Sequence, residues 1–193
     1  MPWEKSFDMD EALDRATEVF WAKGYEGTSM SDLLKATGIN KGSLYNAFGS
    51  KQGLFVKAIL KYDSQSRKAT LERLRDQNNP IGAISGLFDA LIEESVSDPD
   101  KKGCFLVNTA LNLPNQEAVI AKHIKSGMND SEKFFFDHIS LGKKNGDIPD
   151  HVDARSSAKG LLALVAGLRV LARGIFDKKS LRAIKSQALK IIE

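Results

Sequence analysis

The sequence has 193 residues, of which 42% are hydrophobic and 27% charged, and its formal net charge is +3. These values are ordinary for a globular protein of one or two modest domains, and so small a charge does not by itself indicate nucleic-acid binding. The single cysteine excludes an intramolecular disulfide, the N-terminus lacks the apolar segment of a signal peptide, and the longest apolar run, residues 161–168, is too short for a membrane span of ~20 residues. We therefore expect a cytoplasmic protein with no membrane partner.

The first predicted helix begins near Asp8, which can cap it, with Phe7 placed to pack on Ala12. Apolar residues then follow at helical spacing as far as Phe20, and Gly24 is expected to end the helix. This helix has the length and the apolar face to brace the two short helices that come next.

Two short helices joined by a tight turn are predicted after the first helix. Ser29 can cap the first of them with Asp32 in the capping-box position, and Gly38 suits the turn. Asn40 can cap the second, which spans Lys41–Phe48. A helix, a short glycine-containing turn and a second helix form a helix-turn-helix, whose second helix can enter the major groove of DNA.

The rest of the sequence also follows helical spacing, without the alternation typical of strands. Asn115 is expected to cap a long helix, and Gly127 and Asn129 to weaken its middle. We predict an all-α protein of about nine helices, with a three-helix DNA-binding domain at residues 1–50 (motif about 29–48) and a helical domain at 51–193. The predicted helices of the second domain lie at about 51–77, 80–97, 103–113, 115–145, 153–176 and 181–192.

Charge is unevenly distributed along the first sixty residues. From Leu33 to Tyr62 there are five lysines and no acidic residue, whereas acidic residues dominate from Glu4 to Asp32. A basic segment centred on the second short helix indicates contact with phosphate groups. A solvated lysine surface is the alternative interpretation.

The string Gly38–Leu54 contains a glycine turn, a Lys-Gly-Ser-Leu-Tyr run, an aromatic residue, Ser-Lys and a leucine. It closely resembles the TetR family of bacterial transcriptional regulators, and the match extends over roughly residues 9–60. The resemblance implies a homodimer that presents two recognition helices to successive major grooves of a palindromic double-stranded DNA operator. It also implies a C-terminal helical domain that dimerises and binds an unknown small-molecule effector, which usually releases the DNA. We therefore expect a repressor.

The candidate DNA contacts lie on the second short helix and at helix starts. Lys41 and Gly42 occupy the first turn of that helix, where side chains point most directly at base edges. Tyr45 matches the family tyrosine that contacts phosphate, although it could instead be a partly buried aromatic, just as Gly42 could be a simple turn glycine. Leu44 and Phe48 are expected in the core. The predicted DNA contacts are Thr28, Ser29, Lys41, Gly42, Ser43, Tyr45, Asn46 and Lys51.

Small residues recur every seven positions along the strongly apolar helix predicted at 153–176, which suits close approach of another helix. Together with the last helix, it could build a four-helix dimer interface, as the family does. Burial within one subunit is the alternative. The predicted dimer-interface residues are Gly160, Ala163, Gly167, Val170, Gly174, Leu181 and Ile184.

The sequence gives weaker evidence for an effector pocket than for the DNA-binding motif. Aromatic residues with a few polar anchors could line it, although each could equally be an ordinary core residue. Arg169, in an apolar helix, needs a partner because a buried cation is costly, and that partner could be an acid at the dimer interface. The predicted pocket residues are Phe88, Phe105, Asn108, Thr109, Phe134, Phe135 and Arg169.

Other chemistries receive weaker support from the sequence. Cys104 follows two lysines, which can lower the pKa of a thiol, so the same scaffold could act as a redox or metal sensor; a buried structural cysteine is the alternative. His123, His138 and His151 have neither metal-ligand spacing nor a nucleophile–base pattern, so a small all-α enzyme is much less expected. We predict no catalytic residue, no metal site and no cofactor.

Overall fold

The computed structural model describes residues 8–75 and 78–193, and every regular element within these ranges is helical, as predicted. A π-helical segment, Ser64–Lys68, joins α4 to α5 without a break, so the α-helical segments make nine helices in the described ranges. None of these helices has the length and apolar character needed to cross a membrane. The α-helices are α1 (Met9–Gly27), α2 (Met30–Thr37), α3 (Lys41–Phe48), α4 (Lys51–Asp63), α5 (Ala69–Arg75), α6 (Pro80–Ser97), α7 (Phe105–Ala110), α8 (Ala118–Asn145), α9 (Ala154–Leu171) and α10 (Lys178–Lys190).

The chain divides into two compact units, Met1–Gln65 and Ser66–Glu193. In the first unit, α4 packs along α1, where the rings of Phe20 and Phe55 meet edge to face with centroids 5.0 Å apart. Because α4 is held by α1, the compact unit extends past the predicted boundary at residue 50. The predicted contact of Phe7 with Ala12 lies outside the described residues.

The helix-turn-helix forms with the predicted caps. Ser29 and Asp32 make a reciprocal capping box at the start of α2, and Gly38 ends that helix in the left-handed conformation, with φ of 71°. The side-chain oxygen of Asn40 accepts the N–H of Ser43 at 2.8 Å, which satisfies a donor at the start of α3. Local side-chain chemistry therefore sets both helix starts and the turn between them.

The core of the second unit forms where α6, α8, α9 and α10 meet. Phe88 of α6, Phe134 and Phe135 of α8, and Leu161 and Leu168 of α9 are all completely buried. Phe134 and Phe135 meet edge to face, with ring centroids 5.7 Å apart. Burying a side chain of this size stabilises a fold by roughly 1.5–3 kcal/mol, so this cluster is a major source of stability in the unit.

The helices of the second unit differ from the predicted ones in detail. Asn115 does not cap α8, which begins at Ala118 after a short 3₁₀ turn. The helix is continuous through Gly127, where a Cβ atom would lie 2.8 Å from a terminal methyl group of Leu106. The helix predicted to reach residue 176 ends at Leu171, and Gly174 lies beyond it in a turn with φ of 100°.

Candidate nucleic-acid interface

One face of α3 is anchored and the other is exposed. Leu44 and Phe48 are buried in the first unit, as predicted. Lys41, Gly42 and Asn46 are exposed on the other face, and Tyr45 keeps 39% of its surface accessible. The helix therefore presents a row of polar and small residues on a rigid support, which is the arrangement that direct contact with a nucleic acid requires.

The fold requires glycine at one position of the first unit and does not require it at another. A Cβ atom on Gly53, in the first turn of α4, would overlap the backbone oxygen of Phe48, so the fold itself requires glycine there. At Gly42 a Cβ atom would meet only the side chain of Asn40, at 3.4 Å, which is ordinary contact. Glycine costs a helix up to about 1 kcal/mol relative to alanine. The packing of the chain gives no reason for accepting that cost at Gly42.

Cations lie at the first residues of both α3 and α4. The ammonium group of Lys51 stands 4.3 Å from the ring centroid of Tyr25, and that of Lys41 stands 5.9 Å from the ring centroid of Tyr45. A cation at the positive end of a helix dipole is unfavourable unless an anion is close. Both helix starts are thus suited to phosphate. The role of Tyr25 was not predicted, because its separation in sequence from Lys51 gives no local pattern.

The start of α2 differs from the other two helix starts. Thr28 is only 1% exposed, and its hydroxyl donates to the carbonyl of Gly24 at 2.7 Å, so folding accounts for this side chain and its contact with DNA stays a prediction. The hydroxyl of Ser29 donates to Asp32 at 2.7 Å. Hydrogen bonds from Lys23 and then from Ser29 hold the pKa of the Asp32 carboxyl well below its usual range. A carboxylate of the chain therefore already occupies the anion position that was predicted for phosphate.

The basic segment is shorter than its sequence suggests. Lys35, Lys41 and Lys57 are exposed. Lys61 instead forms an ion pair with Asp14 of α1 at 2.6 Å, and the hydrogen bond to that carboxylate raises the pKa of Lys61. Lys61 thus ties α4 to α1, and the lysines available for phosphate end before it.

The predicted pocket residues of the second unit lie mainly in its core. The rings of Phe88, Phe105, Phe134 and Phe135 are completely buried. The amide of Asn108 donates to the carbonyl of Lys102 at 2.7 Å, and the hydroxyl of Thr109 donates to that of Phe105 at 2.8 Å. Folding already accounts for these side chains, and a role in effector binding stays a prediction.

Arg169 is buried, with 2% of its surface exposed, and its guanidinium joins several elements. It donates to Glu94 of α6 at 2.6 Å, to the hydroxyl of Ser95 at 3.0 Å and to the carbonyl of Gly103 at 3.3 Å. An acid of the same chain therefore pairs with this cation. Its contacts explain why a charge is tolerated in an apolar helix.

The predicted dimer residues separate into two groups. Ala163 is exposed, Val170 and Ile184 are half-buried, and a Cβ atom at Gly167 would meet nothing within 4 Å. Leu181 belongs to the core of the chain and Gly174 lies off the helix, whereas a Cβ atom at Gly160 would make only ordinary contact with Ile191, at 3.5 Å.

The predicted sensor residues lie apart from any cluster of ligands. Cys104 is half-buried and directly precedes α7. His138 is buried, with Nδ1 2.7 Å from the carbonyl oxygen of Phe134. Within the described ranges, no three His, Cys, Asp or Glu side chains come together as a metal site would require.

Comparison with known families gives two matches that cover most of the chain. The family described as bacterial regulatory proteins, tetR family, matches residues 12–58. The family described as tetracyclin repressor-like, C-terminal domain, matches residues 80–187. The first match contains the whole helix-turn-helix, and the second contains α6 to α9 and most of α10.

Individual relatives match over nearly the full length. The HTH-type transcriptional repressor ComR of Escherichia coli is 30% identical over 97% of this chain and 90% of its own length. The uncharacterized regulator YezE of Bacillus subtilis is 29% identical over 98% of each chain. A solved structure of a cysteine-substituted form of the TetR family regulator CifR, complexed with 26-base-pair operator DNA, has a TM-score of 0.86 and 29% identity, covering 97% of this chain and 98% of that one.

Proposed function

The chain belongs to the TetR family of bacterial regulatory proteins, and we propose that it is a DNA-binding transcriptional repressor that a small-molecule effector releases from its operator. The relative ComR is named a repressor, and the CifR structure contains operator DNA. Bacterial DNA lies in the cytoplasm, which is where we place the activity. The family consists of regulatory proteins, so we propose a binding function and no enzymatic activity.

The observation that carries this proposal is the surface of α3. Its exposed residues are Lys41, Gly42, Tyr45 and Asn46, and neither packing nor capping accounts for glycine at position 42. A backbone that must approach a DNA strand closely would account for it. We assign Lys41, Tyr45 and Lys51 to phosphate, and Ser43 and Asn46 to base edges or phosphate.

Selection of bound sequences from random double-stranded DNA tests this assignment. We expect a palindrome whose half-site centres lie about one helical turn, or a multiple of it, apart. Asn46→Ala should change the preferred bases, whereas Asn145→Ala, an exposed asparagine in the second unit, should not. Failure of the unchanged protein to enrich any sequence would overturn DNA recognition, and an unchanged consensus for Asn46→Ala would overturn the role of Asn46.

We propose that the dimer forms through the exposed face of α9, around Ala163, Gly167 and Val170, with Ile184 of α10. Because Gly167 has free space around it in the chain, Gly167→Leu should leave the subunit folded and prevent close approach of a partner helix. Light scattering should then give a monomer, while Ala22→Leu, on the exposed side of α1, should stay dimeric. A dimeric Gly167→Leu protein would count against this interface.

A further inference from the structure

A surface cavity of about 380 Å³ lies between α8 and the start of α9, within the second unit. This volume falls in the usual range of small-molecule sites. Its lining combines cationic side chains with one carboxylate, one amide and one aromatic ring. The lining residues are Asn129, Glu132, Lys133, Phe136, Arg155 and Lys159.

The charges around this cavity are unbalanced. Lys133 is neutralised by Asp137, whose two carboxylate oxygens lie 2.8 and 2.7 Å from its ammonium group. Arg155 and Lys159 are four residues apart on α9, where like charges repel each other. Within residues 8–75 and 78–193, neither forms an ion pair, and Glu132 is the one carboxylate in the lining. Two cations therefore face one acid, which leaves an excess of positive charge.

We propose that this cavity binds a small organic anion that carries a carboxylate or phosphate group on an apolar body. The planar guanidinium of Arg155 can hold two oxygens of such a group, and Lys159 adds a second cation beside it. The half-buried ring of Phe136 offers a surface for the apolar body. Arg155 and Lys159 both belong to α9, whereas Glu132 belongs to α8, so the charged group binds on the α9 side. This proposal does not depend on operator binding.

Isothermal titration calorimetry of the full-length protein with phenyl phosphate and with benzoate tests the site. Benzyl alcohol, which is uncharged, is the control ligand. We expect saturable binding of at least one anion and none of benzyl alcohol at the same concentrations. The tighter of the two anions identifies the preferred group. Arg155→Gln and Lys159→Gln should each weaken binding about tenfold or more, because each removes a charge-assisted contact.

Lys144→Gln is the matched control, since it removes one positive charge from an exposed position of α8 outside the cavity. Its affinity for the anions should equal that of the unchanged protein. Equal weakening by all three variants, no effect of either cavity variant, or no saturable binding of either anion overturns the proposal. The proposal is also overturned if the Arg155→Gln protein is monomeric and binds no anion, because Arg155 would then serve the subunit interface.

Discussion

The exposed face of α3 and the phenylalanine cluster of the second unit are both rich in residue types that bind ligands. In the cluster, Phe88, Phe134 and Phe135 are completely buried, and the ring of Phe135 pairs with each of the other two, so folding alone accounts for them. On α3, Gly42 and Tyr45 are exposed, and no packing in the chain requires a glycine at position 42. The difference teaches that a ligand-binding surface is recognised by residues whose presence the fold does not explain.

The largest effect should come from removing a ring of the cluster. Phe135→Ala should lower the free energy of unfolding by roughly 3–5 kcal/mol, because it loses buried area and leaves a cavity. Leu141→Ala, at a half-exposed position of the same helix, should change it by less than about 1 kcal/mol. Urea unfolding measures both. A loss below about 1 kcal/mol for Phe135→Ala would mean that the ring lines a tolerant pocket, which is one of the two interpretations that the sequence left open.

Substitutions of Gly53 and Gly42 test the exposed face of α3, which is the second region in the comparison. Gly53→Ala should destabilise the fold by about 1–3 kcal/mol, because the new methyl group overlaps the carbonyl of Phe48. Gly42→Ala should leave stability unchanged or raise it by up to about 1 kcal/mol. It should nevertheless weaken operator binding in a fluorescence anisotropy titration. Unchanged operator affinity for Gly42→Ala would show that DNA does not approach the backbone at this position.

Sequence reasoning succeeded where structure is set by neighbours in the chain. The caps at Ser29 and Asn40 and the turn at Gly38 depend on residues within three or four positions, and all of them form as predicted. The fold class and the helix-turn-helix follow from the same local patterns.

Sequence reasoning failed where the partner is distant in the chain. Arg169 pairs with Glu94, which lies 75 residues away in the chain. Periodicity cannot reveal a contact at that separation. The cavity beside Arg155 joins residues of two helices for the same reason, and no motif marks it.

A smaller effect is expected where one side chain positions another. Lys51→Gln should make the dependence of operator affinity on salt less steep by about 0.9 in the logarithmic slope, since one phosphate contact is lost. Tyr25→Leu should have a similar but smaller effect by releasing the ammonium group that stands over the ring. Tyr25→Phe keeps the ring and should keep the slope. Equal slopes for Tyr25→Leu and the unchanged protein would remove Tyr25 from the interface.

The smallest effect concerns the start of α2. The carboxylate of Asp32 accepts a hydrogen bond there, whereas the first turn of α3 contains no acidic residue. Because the folded state lowers the pKa of Asp32 from 3.8, its stabilising contribution is present above that value and is lost as pH falls through the lower folded pKa. The urea midpoint of Asp32→Asn should therefore lie below that of the unchanged protein at neutral pH, and the two midpoints should begin to approach each other only below about pH 4. Lys23→Gln keeps the bonds from Ser29 and should give an intermediate midpoint at neutral pH. Parallel midpoints across this pH range would show that the carboxylate does not stabilise α2, and its helix start would then resemble that of α3.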